Sequence, residues 1–69
     1  MTALDRVIVL LLAAGRVADV RAVYEAARWR PSTLGPAIAA LVHLEPPGAL
    51  REAALLALDE LDLDARGAA

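Results

Sequence analysis

Apolar residues recur along this chain at three- and four-residue spacing, and glycine and proline cut them into four stretches. The breaks fall at Gly15, Pro31, Gly35-Pro36, Pro46-Pro47-Gly48 and Gly67. Each stretch is of helix length and is built from Ala and Leu, which favour helix over sheet. The spacing predicts helices over about 2–14, 17–29, 33–44 and 47–61. Residues 62–69 are expected to fray, leaving a single helical domain over 1–61. The expected fold is all-α: four short helices forming two stacked αα-hairpins in a small bundle.

Local signals support these limits. Thr2 followed three residues later by Asp5 matches a capping box at the start of the first helix. Thr33 is placed to cap the third helix, with Pro36 in the first turn, where a missing N–H has no helical partner. The second helix carries a stripe of Val17, Val20, Val23, Tyr24 and Ala27. Beside it, Arg21, Glu25 and Arg28 are spaced for Glu25 to bridge both cations. The third helix has Leu34, Ala37, Ile38, Leu41 and Leu44 on one side and the small, nearly uncharged Gly35, Ala39, Ala40 and His43 on the other.

The first and fourth helices carry more apolar surface than one core needs. Val7–Ala14 is apolar all round, and such a helix must be covered on every side. The fourth helix has a stripe of Leu50, Ala53, Ala54, Ala57, Leu58 and Leu61, with Leu55 and Leu56 on opposite flanks. If Leu4, Ile8 and Leu11 face the core, Val9 and Leu12 face away from it. Val9, Leu12, Leu55 and Leu56 are therefore expected at an interface, in a homo-oligomer or with a protein partner. Trp29, the only Trp, stands between Arg28 and Arg30 and either anchors a partner or packs over the turn into the third helix.

Two family resemblances attach to particular segments. GRVADVRAVYEAARWRP (Gly15–Pro31) resembles the second helix of a tetratricopeptide unit, and ALREAALLALDEL (Ala49–Leu61) resembles the inner helix of a HEAT-type repeat. Both resemblances imply stacked helical hairpins that present a surface to another protein. Residues 4–45, with Pro-Ser-Thr-Leu opening the third segment, are similar to the three-helix core of a helix-turn-helix domain. That resemblance implies a small DNA-binding transcriptional regulator, the alternative function. The outward face of the third helix carries no side chain suited to base edges, which argues against nucleic acid as the partner; only Ser32, Thr33 and Arg30 could approach DNA.

Composition narrows the picture further. In 69 residues there are 17 Ala, 13 Leu and no Cys, so neither a disulfide nor a cysteine zinc site can supplement a small core. The net charge of −2 is unevenly spread, with +2 over residues 1–30 and −4 over residues 31–69, so the two halves can neutralise each other by packing. Val7–Ala14 is too short to span a bilayer, and Asp5 offsets Arg6 ahead of it, so no targeting role and a cytoplasmic location are expected.

No catalytic constellation emerges, and an enzyme is not expected. Ser32 and His43 lie eleven residues apart, roughly 16 Å along a helix axis, beyond direct contact. Asp59, Glu60, Asp62 and Asp64 match no calcium-loop spacing, and His43 has no second ligand near it in sequence. No cofactor or metal is expected. The function expected from these residues is protein–protein interaction or oligomerisation.

Overall fold

A computed structural model describes residues 1–68, with side chains as far as Asp62. It contains four helices: α1 (Ala3–Ala13), α2 (Val17–Trp29), α3 (Leu34–Leu44) and α4 (Ala49–Ala68). A short 3-10 turn at Pro31–Thr33 joins α2 to α3. Each helix packs on the next, and α4 returns to α1 to close the bundle. The most extensive packing is that of α4 against α1 and α3, while the diagonal pairs α1/α3 and α2/α4 are not neighbours. Helix α4 completes the surroundings of α1.

The buried core consists of Val7 and Leu11 from α1, Val23 and Ala26 from α2, Leu34, Ile38 and Leu41 from α3, and Ala53, Ala54 and Ala57 from α4. Helix α4 thus gives the centre only methyl groups. Small side chains shorten the distance at which helices pack, which lets one helix lie close to two neighbours. Its larger residues Leu50, Leu58 and Leu61 are half-buried along the edges of this alanine stripe.

The helix ends follow from local chemistry. The Asp5 backbone N–H donates to Thr2 Oγ1 at 3.1 Å, and the Thr2 backbone N–H donates to Asp5 Oδ2 at 3.2 Å, completing the expected capping box. Gly15, at φ +73°, ends α1: its N–H donates to the Leu12 carbonyl, and the Arg16 N–H donates to that of Leu11. This Schellman arrangement satisfies carbonyls that the helix leaves unpaired. Thr33 does not cap α3 with its side chain; its hydroxyl donates back to the Arg30 carbonyl at 2.7 Å and stabilises the 3-10 turn. Helix α4 begins at Ala49, just after Gly48, and continues to Ala68, past the expected stop near Leu61. Of the expected tail, Ala69 lies outside the described residues.

Three polar contacts fasten the elements together. Arg16 donates through Nε to Asp19 Oδ2 at 2.7 Å and through a second guanidinium nitrogen to Glu45 Oε1, joining the start of α2 to the end of α3. Arg51 Nε of α4 donates to the Val42 carbonyl at 3.0 Å, in the last turn of α3, where carbonyls lack helical partners and a cation is favoured. Glu60 of α4 accepts from the backbone N–H of Ala3 at the opposite pole of α1.

Candidate functional site

The surface is notable for large apolar side chains left in water. On α1, Val9 is 48% and Leu12 54% exposed; on α4, Leu55 is 43% and Leu56 58% exposed. Their exposure follows from the helical wheel. Val7 and Leu11 point inward on α1, so Val9 and Leu12 fall on its outer side. On α4 the inward stripe of Ala53, Ala54 and Ala57 leaves Leu55 and Leu56 on its two flanks. Leu56 lies toward α1, where it borders a shallow recess with Met1, Thr2, Ala3 and Arg6.

Other exposed apolar positions depart from the stripes expected of α2 and α3. Val17 and Tyr24 are exposed, and Ala26 takes a core position. Facing is decided by where α1 and α3 lie, and they meet the Val20, Val23, Ala26 and Ala27 side of α2. Leu44, the final residue of α3, extends past the end of the core and is exposed.

Trp29 ends α2 and is 69% exposed. The Arg28 guanidinium lies over the Trp29 ring, 5.0 Å from its centroid. The ring is therefore not buried over the turn into α3. Arg28 stacks on Trp29, and Glu25 takes its salt bridge from Arg21 at 2.9 Å.

A feature that linear spacing does not reveal lies where α3 begins beside α4. Gly35, Leu58, Asp59, Leu61 and Asp62 line an open groove of about 480 Å³. Among the described residues, a methyl group added at Gly35 would meet nothing within 4 Å outside its own helix, so the missing side chain leaves space between α3 and α4. The groove has an apolar wall from Leu58 and Leu61 and a carboxylate rim. Leu55, one turn before Leu58 and Asp59, continues the same flank. The remainder of the small-residue face of α3 is divided, with Ala39 half-buried and Ala40 and His43 exposed.

Comparison with known protein families, characterised proteins and solved structures finds no match to this chain. The candidate site therefore rests on this chain's own geometry. Among the described residues, no three His, Asp or Glu side chains gather closely enough to hold a metal ion. Among the same residues, no helix is long and apolar enough to cross a membrane.

Proposed function

We propose that this chain is a protein-interaction module that acts by association, with itself or with a protein partner, and carries no catalytic activity; we place it in the cytoplasm. The observation that carries this reading is the exposure of Val9, Leu12, Leu55 and Leu56 around a core whose fourth wall is alanine. Fully burying such a side chain is worth about 1.5–3 kcal/mol, and each of the four forgoes a substantial part of that in an isolated copy. Large apolar side chains left exposed on two adjoining helices of so small a domain support an interaction role.

Light scattering behind gel filtration tests the reading. The expected result is a mass above 7.2 kDa, or capture of a defined protein partner with Leu55 at the contact. Leu55→Glu should break the assembly while circular dichroism keeps its helical signal. A folded monomer at high concentration that binds no protein overturns the reading.

A further inference from the structure

The Gly35 groove and the exposed Trp29 are a hole and a knob on either side of the same 3-10 turn. Trp29 precedes Pro31–Thr33 and Gly35 follows it, so both lie near one end of the molecule. Within one copy the knob does not enter the hole: Trp29 is largely exposed, it does not line the groove, and α2 is not a neighbour of α4. We propose that the groove seats Trp29 of a second copy of this chain.

Charge and size both favour this occupant. Trp29 arrives with Arg28 stacked on its ring and Arg30 beside it, while the groove carries Asp59 on its rim and Leu58 and Leu61 on its wall. An aromatic ring on the leucines and a guanidinium on the carboxylate is the pairing that Trp and Arg supply at interfaces. A volume of about 480 Å³ is enough to take an indole ring, and Gly35 leaves its floor open. The same pattern appears across the whole sequence, +2 in residues 1–30 and −4 in residues 31–69. Because knob and hole lie close together, one two-fold axis lets each copy fill the other, giving a closed dimer rather than a filament. Leu55, on the same flank of α4, comes under the edge of that contact. The inference rests on the self-association reading above and specifies its geometry.

Trp29 is the only Trp, so its fluorescence reports the contact directly. As concentration rises, its emission should shift to shorter wavelength in step with growth to dimer mass by light scattering. Trp29→Ala and Gly35→Leu, the second filling the groove from within, should each weaken dimerisation by about thirtyfold with helicity retained. Asp59→Arg should also weaken it, and adding Arg28→Asp to that variant should restore it. A dimer whose Trp29 emission does not move, or a Gly35→Leu variant that dimerises like the parent chain, overturns this seat and leaves the self-association reading standing. A chain that stays monomeric at millimolar concentration overturns both.

Discussion

The backbone N–H of Ala3 donates to Glu60 Oε2 at 3.3 Å, joining the first turn of α1 to α4 across 57 residues of sequence. An acidic group at a helix N-terminus meets unpaired N–H groups and the positive end of the helix dipole. Glu60→Ala should lower stability by about 0.5–1 kcal/mol, read as a drop in the thermal midpoint. Glu60→Gln should recover only part of that, because it keeps an acceptor and loses the charge.

The two glycines flanking α2 and opening α3 should respond in opposite directions. Among the described residues, neither would bring an added methyl group within 4 Å of a neighbouring element, but Gly15 sits at φ +73° while Gly35 is in ordinary helix. Gly15→Ala is expected to cost about 1–2 kcal/mol from left-handed backbone strain alone. Gly35→Ala is expected to gain up to about 1 kcal/mol through helix propensity. Urea denaturation of the two variants under dilute conditions checks the contrast.

Arg16 should matter more than the exposed Arg21–Glu25 pair. It holds Asp19 and the largely shielded Glu45 at once, whereas Arg21 and Glu25 form an exposed pair. Arg16→Met should cost about 1–2 kcal/mol, since it also leaves Glu45 without its cation. Arg16→Lys should recover less than half of that, because an ammonium lacks the forked donors. Arg21→Ala should cost only about 0.3–0.5 kcal/mol.

Acid should loosen the start of α1 late. The hydrogen bonds from the Thr2 backbone and then its side chain hold the Asp5 carboxyl below its ordinary value of 3.8. A group whose folded value is lowered contributes stability above its unfolded value, and that contribution is lost as pH falls through the folded value. The capping contribution should thus be complete above about pH 5 and disappear below 3.8. A carboxyl-carbon NMR titration of Asp5 should place its midpoint below 3.8, and Thr2→Ala should raise that midpoint.

What could be read from the chain was what neighbouring residues decide. The Thr2–Asp5 box, the break at Gly15 and the limits of α2 are local, and they stand as the spacing predicts. The outward placement of Val9, Leu12, Leu55 and Leu56 was also legible, because no four-helix core of this size encloses an all-apolar α1. The facing of α2 was legible in part: Val20, Val23 and Ala27 turn inward as their spacing predicts, while Val17 and Tyr24 do not. Ala26 carries too little apolar weight to mark a core position, and Val17 and Tyr24 outweigh it until the positions of α1 and α3 are known. The groove was illegible for a related reason: Gly35 comes to line one groove with Leu58 and Leu61 only through the register of α3 against α4.

The return of α4 to α1 also governs the order of folding. Helical proteins generally fold quickly because their contacts are local. Here Val7 and Leu11 are enclosed only when the last helix arrives, so an α1–α2 hairpin alone leaves its best apolar residues uncovered. Loop-closure entropy must be overcome before that enclosure stabilises anything, which places the alanine stripe of α4 in the rate-limiting step. Enlarging Ala54 should accordingly slow refolding more than it speeds unfolding, a division that stopped-flow kinetics resolves.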